Sequence, residues 1–202
     1  MAEIDREIAL FQKADRRRIL EEQLQKKRET WDIRKKITYT LDILIDGIKK
    51  GTQYLYALKL EFEEKTVFNG KFKIPFIKNF FDVMQETADE IIFVSNKRKV
   101  TCMMRSITCQ EPKEIERWSE ETAEGLKKVG LRVGEYRAQS VNQMKYFCFE
   151  VPTAAGDSYN LSFCLKKGLQ IYTGVLNCLG EDKDGMGLLL EALILVTEEW
   201  NR

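Results

Sequence analysis

The chain has 202 residues, of which 33 are basic, 32 are acidic and none is histidine. This length and a hydrophobic content of 44% predict one globular domain with an appendage, and the net charge of +1 excludes a global field that would steer the protein to nucleic acid or to an anionic membrane. Without histidine, the chain cannot form a Ser-His-Asp or Cys-His catalytic relay, or a zinc site with imidazole ligands.

The first 36 residues form a highly charged segment that predicts a long helix. More than half of its side chains are charged, and neither glycine nor proline occurs before Gly47. Acidic residues lie among the basic triplets RRR, KKR and RKK, so the segment is a poor candidate for nucleic-acid binding. Its sparse apolar residues form a weak coiled-coil pattern, and we expect a protein partner or a second copy of the chain to contact them: Ile8, Phe11, Leu20, Leu24 and Trp31.

The hydrophobic period changes to two at Ile37 and predicts a β-hairpin. Apolar residues alternate with polar ones over residues 37–45 and again over residues 54–62, and the sequence DGIKKGTQ between them supplies turn residues. Residues 37–49 also fit a helix, because their apolar side chains fall on one helical face as well. Two aromatic residues of the second run, Tyr54 and Tyr56, are further candidates for contact with a partner.

Residues 66–108 predict a short strand and a hairpin. The sequence NGKFKIPF indicates a turn followed by a strand whose pairing stops at Pro75, since proline lacks the backbone donor. Residues 77–89 predict an irregular loop or one short helix. The sequence EIIFVSNKRKVTCMMRSI then predicts two apolar strands joined by the polar connection SNKRK.

The remaining residues predict a helix, four strands and a closing helix. Pro112 and Gly130 mark the ends of an amphipathic helix. The runs LRVGEYRAQ, MKYFCFEVP, YNLSFCLK and LQIYTGVL follow, and their short polar connections favour an antiparallel meander. The last helix begins near DKDGMG and is apolar nearly all round, so we expect it to pack between or against sheet elements.

The sequence therefore predicts two parts. Residues 1–36 form a charged helical arm, and residues 37–202 form a single α+β domain. Within this domain the β-hairpin precedes an antiparallel sheet with two packed helices, similar to an α/β/α sandwich.

The chemical motifs of the chain predict no cofactor and no metal site. The five cysteines lack CxxC spacing, and we interpret them as core residues in a reducing compartment. Residues 180–191, GEDKDGMGLLLE, match part of a calcium loop, but Gly180 stands where the first carboxylate ligand belongs. We interpret this stretch as an acidic turn in which Asp184 caps the last helix. The glycine patterns of nucleotide-binding loops do not occur.

The order of elements from about residue 66 onward resembles a known fold group. An F-x-I-P opening strand, here FKIP from Phe72 to Pro75, precedes a hairpin, a helix, an antiparallel meander and an apolar closing helix. This order is similar to the α/β/α sandwich shared by PsbP of photosystem II, the Ran-binding nuclear import factor family and the bacterial DcrB-like proteins. The resemblance implies a non-catalytic assembly factor or chaperone, and it carries over no functional residue.

We therefore expect a non-catalytic protein-binding module in the cytoplasm, a chaperone or adaptor for a secreted or assembled partner. The N-terminus lacks the apolar run of a secretory signal, and the longest apolar stretch is too short to span a membrane. A sheet face or an edge strand would bind the partner. Two alternatives stay open: a structural protein that forms a homodimer through residues 1–36, and an enzyme whose carboxylate, lysine or tyrosine site is not visible in the sequence.

Overall fold

The computed structural model describes residues 38–108, 114–134, 136–153 and 156–202. Ten strands and three α-helices lie within these ranges. The chain divides into two compact units, Met1–Thr38 and Tyr39–Arg202, and all of these elements belong to the second. The predicted helical arm lies outside the described residues.

The described chain begins with a helix and not with the predicted strand. Helix α1 spans Leu41–Lys49, and the hydroxyl oxygen of Thr40 accepts a hydrogen bond from the backbone N–H of Ile43 at 3.4 Å as the N-cap. Leu44 and Ile48 are buried together on one face of this helix. The strand prediction was wrong and the alternative of a helix is confirmed over Leu41–Lys49, because burial of residues four positions apart outweighs the β-propensity of the isoleucines.

Three antiparallel strands follow α1 and form a small sheet in the order β1-β2-β3. These strands are β1 Thr52–Leu55, β2 Leu58–Val67 and β3 Phe72–Ile77. The run predicted as one strand is divided by a tight turn in which Tyr56 has a φ of 54°. Nothing in the sequence signals this turn, because a left-handed conformation normally takes glycine or asparagine.

Strand β3 continues through Pro75, which corrects the prediction that pairing stops there. Pro75 lies opposite Glu64 of β2, and β3 is an edge strand of the small sheet. An edge strand tolerates proline, since the missing N–H can face away from the neighbouring strand. Asn201 also holds β3: its Nδ2 donates to the Lys73 carbonyl at 2.7 Å, and the Lys73 N–H donates to Oδ1 of Asn201 at 3.1 Å.

A seven-stranded antiparallel sheet forms the centre of the domain. In spatial order its strands are β4 Val83–Glu86, β5 Glu90–Ser95, β6 Val100–Thr108, β10 Gln170–Leu179, β9 Gly156–Lys167, β8 Met144–Thr153 and β7 Tyr136–Val141. The β5–β6 hairpin and the meander from β7 to β10 confirm two predictions. Strand β4 corrects the prediction of a loop or helix; all its side chains are exposed, so it lacks the pattern of a buried strand.

Two helices pack on opposite faces of this sheet, as predicted. Helix α2, Ile115–Lys128, lies on β7 and β8, where the rings of Trp118 and Phe147 meet edge-on with centroids 4.7 Å apart. Helix α3, Leu188–Trp200, lies on the other face and also contacts α1 and β3. Most of α3 is buried, in agreement with its nearly continuous apolar sequence.

The sheet separates a main core from a small core. The main core contains residues of α1, α3 and both sheets, whereas the small core lies between α2 and β8. Strand β8 contributes to both in alternation: Met144, Tyr146 and Cys148 to the main core, and Phe147, Phe149 and Val151 to the small core. The fold class is therefore α+β with helices on both faces of an antiparallel sheet, as predicted.

Candidate functional site

A carboxylate with no solvent exposure lies at the centre of a polar cluster between α3 and the sheet. Glu191, in the first turn of α3, is 0% exposed. Nη2 of Arg137 lies 2.5 Å from its Oε2, and the hydroxyl of Tyr146 lies 2.7 Å from its Oε1. A buried carboxylate requires such partners, because an unpaired charge inside a protein costs several kcal/mol.

Two neighbouring strands bring the partners of Glu191 together. The register of β7 and β8 sets Arg137 opposite Cys148 and Gln139 opposite Tyr146, with these side chains on the face that carries α3. The Tyr146 hydroxyl also lies 2.5 Å from Oε1 of Gln139, and Nη2 of Arg137 lies 4.0 Å from Sγ of Cys148. Residues that are far apart in the sequence thus form one connected group.

The surroundings of the cluster shift several pKa values. Burial is the main cause of the raised pKa of Tyr146, Tyr159 and Cys148, and the nearby Glu191 carboxylate raises all three further. Burial lowers the pKa of Arg137, but the charge of Glu191 and hydrogen bonds to Cys148 and Glu191 raise it by more. At neutral pH the phenols and the thiol therefore stay protonated, and none of them is prepared to act as a nucleophile or general base.

The cluster forms one wall of a cavity of about 390 Å³ near the start of α3. Side chains of both charges line this cavity: Arg137, Lys183, Glu150 and Asp184. Nζ of Lys183 lies 2.7 Å from Oε1 of Glu150 and forms a second ion pair. The ring of Tyr159 completes the wall beside Gly187, where a Cβ atom would lie only 2.9 Å from Cε1 of the ring. Glycine is therefore required at this position for Tyr159 to occupy its place.

The other face of the seven-stranded sheet is covered by α2 over only part of its width. Helix α2 packs on β7 and β8, at one end of the sheet. The cross-strand register of β4, β5, β6 and β10 groups a set of apolar side chains on the remaining part of this face, which we call the open apolar patch: Val83, Ile92, Val94, Met103 and Val175. Met103 is 42% exposed and Val175 is 37% exposed. A contiguous exposed group of this kind is typical of an interaction site.

The structure describes two of the predicted partner contacts, Tyr54 and Tyr56, and they lie in different environments. Tyr54 lies on β1 and is 58% exposed. Tyr56 is partly buried in the following turn, where its backbone N–H donates to the Tyr39 hydroxyl and the two rings pack edge-on. The other predicted contacts, Ile8, Phe11, Leu20, Leu24 and Trp31, lie outside the described residues. All seven stay predictions.

Sequence reasoning did not identify the cluster around Glu191. One signal was present, because a carboxylate within the apolar sequence MGLLLEALILV needs a partner in the protein interior. Arg137 and Tyr146 gave no signal of their own, since they lie on separate strands that meet Glu191 only in the folded domain.

The stretch from Gly180 to Gly187 differs from the predicted acidic cap. It forms a single 3₁₀ turn and a single π turn, and no side-chain cap bond precedes α3. Asp184 lines the cavity instead. Among the described residues, no group of three or more acidic or cysteine side chains is arranged to hold a metal ion. No helix in these ranges is long and apolar enough to cross a membrane.

No protein-family model and no curated protein matches the sequence. Among solved structures, the chain is similar to the cyanobacterial PsbP protein CyanoP from Synechocystis sp. PCC 6803, with 9% identity, a TM-score of 0.50, and coverage of 66% of this chain and 89% of that chain. A protein of unknown function from Pseudomonas aeruginosa matches with 6% identity and a TM-score of 0.36, over 68% of this chain and 94% of that chain. The similarity to CyanoP confirms the predicted resemblance at the level of the fold: the domain has a PsbP-like α/β fold.

Proposed function

We propose that this protein is a non-catalytic protein-binding module whose partner docks on the open apolar patch. The observation that carries the proposal is the partial exposure of these side chains on a sheet face that α2 covers only at one end. Covering apolar surface is favourable by about 25 cal/mol per Å², so a partner that buries the patch gains binding free energy.

The occupant that fits this face is an amphipathic helix of another protein. Helix α2 already shows how the face is covered, since its Trp118 packs against Phe147 of β8. A second helix would lie about 8–10 Å from α2, and strands are spaced about 4.8 Å apart, so this helix would lie over β9 and β10. Its apolar side chains would then reach Val175 and Met103, which are paired across β10 and β6. The partner helix would continue the layer that α2 begins.

The chemistry of the polar cluster supports binding over catalysis. Its phenols and its thiol have raised pKa values, and the carboxylate of Glu191 has no exposure to a substrate. As part of the same proposal, the protein acts in the cytoplasm as a chaperone or adaptor for a secreted or assembled partner. Support for this finer role comes from analogy with the roles expected for the fold group.

The proposal is tested by quantitative capture of binding proteins with the full-length chain and two variants. Met103→Lys places a charge within the open apolar patch. Met84→Lys is the matched control, because Met84 is 59% exposed and pairs with Phe93 on the opposite face of the sheet. We expect to capture a partner that binds the wild-type chain and the Met84→Lys variant equally well. The same partner should bind the Met103→Lys variant at least about tenfold more weakly.

A synthetic peptide of the most amphipathic helix in that partner is then titrated against the same three proteins by calorimetry. The peptide should reproduce the difference between the variants, and both variants should keep their stability within about 0.5 kcal/mol, since both positions are exposed. Equal binding of the partner to all three proteins would show that this face is not the docking surface. Binding through an extended segment would reject the amphipathic helix as the occupant.

A further inference from the structure

We propose that the cavity beside Glu191 binds a small zwitterion of the α-amino acid class. This inference concerns the face of the sheet opposite the open apolar patch and does not depend on partner binding. The volume of about 390 Å³ falls at the lower end of the range found for small-molecule sites. Its walls combine charged groups with the apolar surfaces of Tyr159 and Leu188.

Two ion pairs within the cavity wall are complete without a ligand. Arg137 is paired with Glu191, and Lys183 is paired with Glu150. Each pair brings one positive and one negative group together, so together they leave no net charge. The character of the ligand therefore depends on the hydrogen-bonding groups that these pairs do not use and on the remaining charge in the wall.

Arg137 keeps N–H donors for a ligand. Its contacts with Glu191 and Cys148 both use Nη2, and its Nε and Nη1 form no hydrogen bond with any side chain or backbone group in the described ranges. The side chain is 49% exposed, while its partner Glu191 is anchored in α3 with no exposure. The guanidinium is therefore held in place on one side and open on the other, which is a suitable arrangement for a carboxylate.

Asp184 supplies the opposite charge in the same cavity. Its side chain is exposed and forms no ion pair or hydrogen bond with the part of the chain that the structure describes. An ammonium group bound there would compensate this carboxylate, just as a ligand carboxylate would use the donors of Arg137. A simple anion would satisfy only Arg137, and a simple cation would satisfy only Asp184. A zwitterion satisfies both.

The test is calorimetric titration of the full-length protein with three related probes. L-leucine carries both charges, N-acetyl-L-leucine carries only the carboxylate, and L-leucinamide carries only the ammonium group. We expect L-leucine to bind and each derivative to bind at least about tenfold more weakly, which corresponds to about 1.4 kcal/mol for each lost charge.

Two aspartate variants show whether the binding occurs in this cavity. Asp184→Asn removes the acceptor charge at an exposed position, and Asp46→Asn is the matched control on an exposed position of α1 outside the cavity. We expect Asp184→Asn to bind L-leucine about tenfold more weakly and Asp46→Asn to bind it as the wild-type chain does. Absence of binding at about 5 mM L-leucine, equal binding of N-acetyl-L-leucine, or unchanged binding by Asp184→Asn would overturn the proposal.

Discussion

The side chains around Glu191 contribute to stability as well as to the cavity. A carboxylate with no solvent exposure relies on its protein partners, because water cannot replace a partner that is removed. Arg137 supplies the charge and Tyr146 supplies a neutral donor. The hydroxyl of Tyr146 is the more suitable position for a test, since its removal leaves the ion pair in place.

Tyr146→Phe is therefore expected to lower the free energy of unfolding by about 1–3 kcal/mol, the cost of leaving a buried acceptor without one of its donors. Urea denaturation followed by far-UV circular dichroism measures this change. Tyr54→Phe is the matched control: Tyr54 is 58% exposed, so its substitution should change stability by less than about 0.5 kcal/mol. Equal losses in both variants would contradict a specific role for the Tyr146 hydroxyl.

Two buried thiols predict a loss of stability at alkaline pH. Burial raises the pKa of Cys102 and Cys178 from 9.0 to about 12, and for Cys178 the charges of Asp182 and Cys102 raise it further. Between pH 9.0 and about 12 the unfolded chain has released protons that the native protein still holds. The contribution of the two thiols to the stability of the folded protein is thus complete below pH 9.0 and is lost as the pH rises toward about 12.

For each thiol, the free energy of unfolding should fall by about 1.4 kcal/mol for every unit that the pH rises within this window. Urea denaturation at intervals between about pH 8 and pH 10.5 measures the slope. Cys102→Ala should be less stable than the wild-type chain near pH 8 because it leaves a cavity, but its slope should be shallower by the contribution of one proton, so the difference in stability should shrink as the pH rises. A slope identical to that of the wild-type chain would mean that Cys102 does not titrate in this way.

We expect alanine substitutions at two glycines, one in a strand and one in a helix, to change stability in opposite directions. A Cβ atom at Gly174 of β10 would lie 2.5 Å from the carbonyl oxygen of Met103 and 2.7 Å from Cε1 of Phe163. Gly174→Ala should therefore force β10 and β6 apart and cost about 1–3 kcal/mol. A Cβ atom at Gly125 of α2 would meet nothing within 4 Å, so Gly125→Ala should stabilise the protein by about 0.5–1 kcal/mol. Thermal denaturation of both variants checks the two signs.

The outer elements were the hardest to predict from the sequence. The β5–β6 hairpin, helix α2, the meander and helix α3 follow the regular patterns that burial imposes, and the sequence predicts all of them. For helix α1 the sequence left a strand and a helix open, because its apolar residues fit a period of two as well as a helical face, and only burial of Leu44 and Ile48 decides between them. Strand β4 was missed because its four side chains are all exposed.

The candidate site could not be predicted, for a different physical reason. Arg137, Cys148, Tyr159 and Lys183 come from three strands and a turn, and only strand register and the position of α3 bring them to one cavity. The spacing of these residues in the sequence does not indicate that they lie close together in the folded domain. The open apolar patch was likewise invisible, because an alternating strand does not show which of its faces a helix will cover.

The whole domain should fold without the charged arm. All described helices and strands belong to the unit Tyr39–Arg202, and the main core draws on α1, α3 and both of its sheets. Residues 37–202 expressed alone should therefore unfold in one cooperative transition, measured by urea denaturation with far-UV circular dichroism and amide proton chemical shifts as two probes. Transitions that do not coincide would contradict this expectation.

Sedimentation of the full chain and of residues 37–202 tests the alternative of self-association. Dimerisation through residues 1–36 predicts a dimer for the full chain and a monomer for residues 37–202. A monomer in both cases would reject that alternative and would leave the open apolar patch as the surface for a different protein.

Because the main core and the small core are separate, tryptophan fluorescence can report on each of them independently. The chain contains three tryptophans: Trp31 belongs to the charged arm, Trp118 packs on the small core and Trp200 packs on the main core. Three variants that each keep one of them, with phenylalanine at the other two positions, would give one fluorophore for each part of the chain. The wavelength of maximum emission from each variant would then show whether water enters the two cores together, as one cooperative transition requires, or enters one core before the other.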